Sequence, residues 1–208
     1  MITLAVNQDR LVSNLRYSFT DREVLIAELM QNARRAGASS VVIDFDGNTK
    51  TLTVTDNGRG ISNFQSLFTL AESGWEDSIQ ESEHPFGMGF FSTLFSAEEV
   101  EVYSFDQFIR FKTQDALAFS SIAVNTIEFY ELPLNGSKIC LIGIDLTSHE
   151  VEMAVKKYAK GFPIQVVLNG VPAANPDAIS ESFSDSSIGK VRLSRSNSIE
   201  CYLQGIPV

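Results

Sequence analysis

The sequence predicts an α+β fold: a mixed sheet covered on one face by helices. Three observations carry this expectation. Between residues 99 and 146, β-rich stretches follow one another without a helix between each pair, which argues against strict βαβ alternation. A hairpin is written into Val41-Val42-Ile43-Asp44-Phe45-Asp46 and Thr51-Leu52-Thr53-Val54-Thr55, which flank Gly47-Asn48. Helical apolar spacing appears both before this hairpin and after the strand run.

Taken in order, Thr20-Asp21-Arg22-Glu23 has the form of a capping box. Leu25, Leu29 and Ala33 then recur at helical spacing until Gly37 supplies a C′ residue, predicting a helix over about 21–36. The hairpin follows and leaves Asp56 at a strand end. Residues 62–70 read as helical, and 72–85 are polar, acidic and aperiodic apart from Trp75, the composition of a mobile lid. Gly87-Met88-Gly89 turns into an apolar helix through about Phe95. Strands are expected near 99–104, 107–113, 121–130 and 138–146, with Pro133-Leu134-Asn135-Gly136 as turn chemistry between the last two. Thr147-Ser148-His149-Glu150 caps a helix to about Lys160, ended by Gly161, and Ile164-Gln165-Val166-Val167-Leu168 reads as a strand before Asn169-Gly170. Residues 174–189 are rich in Ser, Asp, Asn and Pro, and short strands near 190–194 and 199–203 close the chain. The expected division is a main domain over 1–173, then a linker with the start of a following domain or terminal strands over 174–208.

Composition bounds the function. With 208 residues, 44% of them hydrophobic, the chain buries a substantial core. Sixteen basic against twenty-six acidic residues leave a net charge of −10, which argues against direct nucleic-acid binding by bulk charge; a nucleotide must be held by local geometry. Cys140 and Cys201 sit in no paired spacing, so neither zinc nor a disulfide framework is implied and a reducing cytoplasm is the simplest compartment. The N-terminal residues show no signal-peptide pattern, and no window approaches the ~20 apolar residues of a membrane span, so no membrane partner is expected.

Three short constellations carry chemistry. On a helix Glu28 and Asn32 share one face beside the apolar stripe, where a carboxylate can deprotonate a water and an amide oxygen can complete an octahedral Mg²⁺ shell. The alternative is a solvated helix face. Asp56 ends a strand and is followed by Asn57-Gly58-Arg59-Gly60, a turn in which backbone can approach a ligand closely; the carboxylate would accept the exocyclic amine of adenine and discriminate against guanine. The alternative is a plain turn. Gly87-Met88-Gly89 opens a helix, so free N–H groups and the positive end of the dipole can meet phosphates without any lysine, or the glycines merely feed a buried helix containing Phe90, Phe91, Leu94 and Phe95. Other patterns fail: Gly136-Ser137-Lys138 lacks the first P-loop glycine, where Glu131 stands, and precedes a strand. Asp44-Phe45-Asp46-Gly47 places glycine too early for a calcium loop, and His84 and His149 are isolated. Lys156, Lys157 and Lys160 complement a helix C-terminus and form a poor nucleic-acid patch.

In this order and spacing, Glu28-Leu29-Met30-Gln31-Asn32-Ala33, Asp56-Asn57-Gly58-Arg59-Gly60-Ile61 and Phe86-Gly87-Met88-Gly89-Phe90-Phe91-Ser92 resemble the N, G1 and G2 boxes of the GHKL ATPases, the superfamily of gyrase, heat-shock-ninety chaperones, histidine kinases and MutL. The stretch from Ala36 to Ile61 is most similar to MutL. The Gly89-Phe90-Phe91-Ser92 helix, Gly136-Ser137-Lys138-Ile139, and Val155-Lys156-Lys157-Tyr158 leading to Phe162-Pro163-Ile164 are closer to the chaperones. The similarity spans about residues 10–170. It implies the Bergerat ATP-binding fold, a two-layer α/β sandwich whose mixed, mostly antiparallel sheet is covered on one face by helices, with ATP and Mg²⁺ as cofactors. Glu28 is then the catalytic general base, Asn32 the metal ligand, Asp56 the adenine contact with Gly58 and Gly60 beside it, and Ser137 a water-linked adenine contact. Gly87, Met88 and Gly89 would supply phosphate contacts, and Phe86 and Phe90 complete the nucleotide-binding set.

The chain departs from the pattern in places. His84 stands where the chaperones have the first G2 glycine, Glu72 replaces a lysine near the phosphates, and Arg35 replaces an aspartate and offsets that charge. Relatives also draw a catalytic cation from a following domain, so slow or absent turnover is expected. The resulting expectation is an ATP-binding domain, chaperone-like, whose slow Mg²⁺-dependent hydrolysis drives lid closure and dimerisation. Its partners would be ATP and ADP, a homodimer mate and a protein client. The rivals are a nucleotide-gated interaction module without hydrolysis, a MutL-like DNA-repair ATPase, and a histidine-kinase catalytic domain.

Overall fold

The computed structural model describes residues 3, 7–18, 21–69, 89–127, 136–180, 182–187, 189–193 and 199–208. Its centre is an eight-stranded sheet in the order β5-β4-β3-β6-β2-β1-β7-β8. The strands are β1 (Ser40–Asp46), β2 (Thr51–Asp56), β3 (Glu99–Ser104), β4 (Gln107–Lys112), β5 (Val124–Thr126), β6 (Ser137–Ile142), β7 (Gln165–Leu168) and β8 (Val171–Pro172). All neighbours are antiparallel except β1 and β7. This is the mixed, mostly antiparallel sheet the sequence predicts.

Strict alternation decides which face is covered. Phe45, Leu52, Leu141, Val100 and Phe111 form one cross-strand row, and Ile43, Val54, Ile139, Val102 and Ile109 the next. All ten are buried. The opposite face carries Thr51, Thr53, Glu99, Glu101 and Arg110, with Arg110 paired to Glu99 and, at 3.2 Å, to Glu101. The helices are α1 (Gln8–Leu15), α2 (Val24–Arg35), α3 (Phe91–Ser96), α4 (Thr113–Leu117) and α5 (Ser148–Ala159). Leu25, Ile26, Leu29, Met30 and Ala33 of α2, with Val151, Ala154, Val155 and Tyr158 of α5, join the sheet's buried rows in one apolar core. Each fully buried Leu, Ile or Phe contributes about 1.5–3 kcal/mol relative to exposure.

Local chemistry sets the boundaries, not always as expected. Thr147 and Glu150 form the reciprocal capping box at α5. At α2 the helix starts at Val24 and Asp21 Oδ1 accepts from the Glu23 N–H at 3.0 Å; Thr20, the expected cap, lies outside the described residues. Gly37, at φ +73°, closes that helix as the left-handed residue predicted. Gly161 is a glycine for another reason, since a Cβ there would stand 2.5 Å from the Tyr202 ring. Of the helix expected over 62–70, the described residues 62–69 hold a 3₁₀ turn, Phe64–Leu67, capped by Asn63. The strand expected over 107–113 stops at Lys112 because Thr113 turns its hydroxyl onto Ala97 O at 2.8 Å and opens α4. The strand expected over 138–146 ends at Ile142, before Gly143 at φ +72°. The segment expected as a lid, 72–85, lies outside the described residues, as does 128–135.

After β8 the chain leaves the sheet for two separate hairpins. The first pairs β9 (Ser184–Ser186) with β10 (Gly189–Val191); the second pairs β11 (Tyr202–Leu203) with β12 (Ile206–Pro207).

Candidate nucleotide site

A third row follows the two apolar ones on the covered face, and its chemistry changes. Val41, Asp56, Ser137 and Ser104 stand side by side across β1, β2, β6 and β3. Asp56 is 8% exposed and Ser104 1%, so both polar groups are buried and must be hydrogen-bonded. Asp56 Oδ1 accepts from the Gly58 N–H at 2.8 Å, and Oδ2 accepts from the Ser137 hydroxyl. Two donors therefore hold the carboxylate in one orientation at the strand terminus.

The turns around it are packed backbone to backbone. Gly60 has φ +75°, and a Cβ there would stand 2.7 Å from Ser104 Oγ. Gly136 has φ +122°, and its Cβ would stand 2.1 Å from the Asp56 carbonyl oxygen. Gly58 lies against Ala36, where a Cβ would come within 2.7 Å of the alanine Cβ, and the Arg59 N–H donates to Ala36 O at 2.9 Å. The C-terminal end of α2 is thus tied to the turn after β2. Asn57 accepts from the Ser39 and Ser40 N–H groups at 2.9 and 3.1 Å and locks the turn onto the start of β1.

Farther along α2, Glu28 and Asn32 are half-buried one turn apart. Burial pushes the Glu28 carboxyl above its usual range, and the nearby Arg35 guanidinium partly opposes this. Gly89 sits against Glu28: an added Cβ would stand 2.4 Å from Oε2. Phe90, beside Gly89, is buried and meets Phe68 edge-on at 5.8 Å, while Ser92 Oγ donates to Gly89 O at 2.6 Å. One end of α2 therefore abuts the Asp56 turn and its middle abuts the Gly89 turn, so Glu28, Asn32, Asp56, Gly58, Gly60, Ser137, Gly89 and Phe90 gather around one helix and three strand termini. Phe86, Gly87 and Met88, like Glu72 and His84, lie outside the described residues.

Sequence reasoning missed Ser104. Its hydroxyl accepts from the Ile61 N–H and donates to Gly136 O, both at 2.8 Å, and so joins the turn carrying Gly60 to the one before Ser137. The only signal was a serine on the apolar phase of a strand, one pair beyond Val102.

Residues 17–133 match the family model described as histidine kinase-, DNA gyrase B- and HSP90-like ATPase, which is more than half of the chain. The chain belongs to this ATPase family. Among its curated relatives are chaperone proteins HtpG. That of Nitrobacter winogradskyi is 24% identical over 205 residues, covering 78% of this chain and 32% of the relative. That of Helicobacter pylori strain 26695 is 26% identical over 188 residues, covering 72% and 30%. That of Rhizobium meliloti is 25% identical over 205 residues, covering 78% and 32%. This GHKL-type chain thus spans about a third of the length of these relatives. Among the described residues no helix is long and apolar enough to cross a membrane.

Proposed function

We propose that this domain binds ATP together with Mg²⁺ and hydrolyses it slowly. The observation that carries the reading is Asp56: a buried carboxylate held by two donors, at the end of an apolar sheet, beside turns too tight for any Cβ. A fixed acceptor in that position suits the exocyclic amine and a ring nitrogen-bound water of adenine, with Ser137 orienting the acceptor. Gly58, Gly60 and Gly89 let the turns pack directly onto Ala36, Ser104 and Glu28, which draws the Asp56 and Glu28 elements together as a nucleotide site requires.

Asn32 is the residue that would hold the metal, which when bound neutralises phosphate charge. Glu28, half-buried one turn away, takes a proton from water; its raised pKa makes it a stronger base than an exposed glutamate. Gly87, Met88 and Gly89 are assigned to the phosphates, with Phe86 and Phe90 beside them in the nucleotide-binding set. Residues 1–173 form the nucleotide-binding unit in this proposal and 174–208 a distinct terminal segment, a division supported by the passage from one shared sheet to separate hairpins. The relatives named chaperone protein HtpG support a chaperone-like role, and with it we propose a cytoplasmic, dimerising machine acting on protein clients.

Calorimetric titration with Mg-ATP should show binding that Asp56→Ala abolishes and Asp56→Asn weakens strongly. Absence of both heat and thermal shift at millimolar nucleotide overturns the reading. Turnover with Glu28→Ala separates hydrolysis from a purely nucleotide-gated role: the variant should bind Mg-ATP and release no phosphate.

A further inference from the structure

The last hairpin reaches back to the helix that carries Glu28 and Asn32. Its tip is Gln204-Gly205, both with positive φ, +52° and +87°, the form of a tight two-residue turn. The tip is wedged in place: a Cβ on Gly205 would stand 2.7 Å from Pro163 Cδ and 2.8 Å from Gly161 O. The base is anchored by charge. Tyr202's hydroxyl is shared between Asp177 at 2.7 Å and Glu200 at 2.8 Å, and Lys160 pairs with both carboxylates.

From this anchored tip Gln204 makes a closed triangle with α2. Arg34 Nη2 donates to Gln204 Oε1 at 3.0 Å, Arg34 Nε donates to Gln31 Oε1 at 2.7 Å, and Gln31 Nε2 donates to Gln204 O at 3.4 Å. Gln31 is 9% exposed, a buried polar side chain on a helix whose other buried residues are apolar. The Arg59 N–H bond to Ala36 O ties the C-terminal end of α2, but the stretch before it is held against the sheet by the apolar contacts of Leu25, Ile26, Leu29 and Met30, and dispersion has no direction, so the roll of that stretch is soft. Hydrogen bonds are directional and select one roll angle. A roll of about 10° moves atoms at the helix surface by about 1 Å.

We propose that Gln204, acting through Arg34 and Gln31, is a positioning residue for the Glu28 and Asn32 face of α2. It sets the angle at which those two side chains meet Mg²⁺ and the terminal phosphates, while the adenine end keeps its own ties, the Arg59 N–H to Ala36 O and the Asp56 carboxylate to Gly58 and Ser137. This rests on the nucleotide reading above. Gln31 and Asn32 are consecutive, so any roll imposed at the triangle is delivered to the metal ligand without an intermediary.

The test compares Mg-ATP with adenosine, which reads only the Asp56 end, in calorimetry of wild type, Gln204→Ala, Gln204→Leu and Gln204→Glu. Removing one hydrogen bond to a charged donor should weaken Mg-ATP about tenfold in the Ala and Leu variants. Adenosine affinity should stay unchanged. Gln204→Glu keeps an acceptor of the same shape for Arg34 and should restore the wild-type ratio. In an Asn32→Ala background Gln204→Ala should add no further loss. The proposal is overturned if the ratio stays at the wild-type value in all variants, if both ligands weaken together, or if Gln204→Glu behaves as Gln204→Ala. If wild-type protein binds no Mg-ATP, the nucleotide reading itself fails and takes the positioning role with it.

Discussion

Gly89 faces Glu28 so closely that a Cβ on the glycine would stand 2.4 Å from the glutamate Oε2. The atom in the way is the far end of a flexible side chain, so Gly89→Ala should fold with a stability change within about 1 kcal/mol. The carboxylate, however, must leave its position. We expect hydrolysis to fall at least about tenfold, the range in which a displaced general base loses its effect. Phosphate release and thermal melts on the same preparation check this, and unaltered turnover contradicts it.

Burial raises the Glu28 pKa, and Arg35 is the cause acting against it. A general base works as the carboxylate, so the acid limb of the pH–rate profile should lie at higher pH than for an exposed glutamate. Arg35→Ala removes the lowering influence and should shift that limb further upward; Arg35→Lys should return it most of the way. The profile of Mg-ATP hydrolysis between mildly acidic and neutral pH reads the shift directly.

Gly136 and Gly170 provide a paired stability test. Both have positive φ, +122° and +78°, but a Cβ on Gly136 would lie 2.1 Å from Asp56 O, whereas nothing stands within 4 Å of one on Gly170. Gly170→Ala should cost about 1 kcal/mol, the left-handed penalty alone. Gly136→Ala adds a backbone collision and should cost about 3 kcal/mol or more. Urea unfolding distinguishes the two.

Asp177 gives the acid limb of stability. The Tyr202 hydroxyl, then Lys160 and Arg192, hold its carboxyl down at about 2. A carboxylate with a depressed folded-state pKa contributes stability that is present above its ordinary value and is lost as pH falls from about 4 to about 2. The melting-temperature gap between wild type and Asp177→Asn should therefore be full at neutral pH and close across that window.

Much of this was legible in the sequence because it is written locally. The hairpin of β1 and β2 follows from alternation and its turn, α5 from a capping box that forms as expected, and the closure of α2 from Gly37. What escaped is relational. Ser104 matters only because β6 inserts between β2 and β3 and aligns it with Ser137 and Asp56. The helix Gln8–Leu15 was overlooked although Asn7 accepts from the Arg10 N–H as its cap and Leu11 and Leu15 stand one turn apart, because at eight residues the signal is short. The need for glycine at 161 depends on Tyr202, forty-one residues later, and could not be read from the helix end itself.

The insertion of β6 between β2 and β3 also bears on biosynthesis. As the chain leaves the ribosome, β2 emerges with β1 on one side and an open edge on the other, and its partner Ser137 follows Asp56 by 81 residues. Until that stretch is made, the Thr51–Asp56 edge and the Glu99–Ser104 edge are free to pair with each other or with neighbouring chains. Slowing elongation ahead of residue 137 should therefore raise the aggregated fraction.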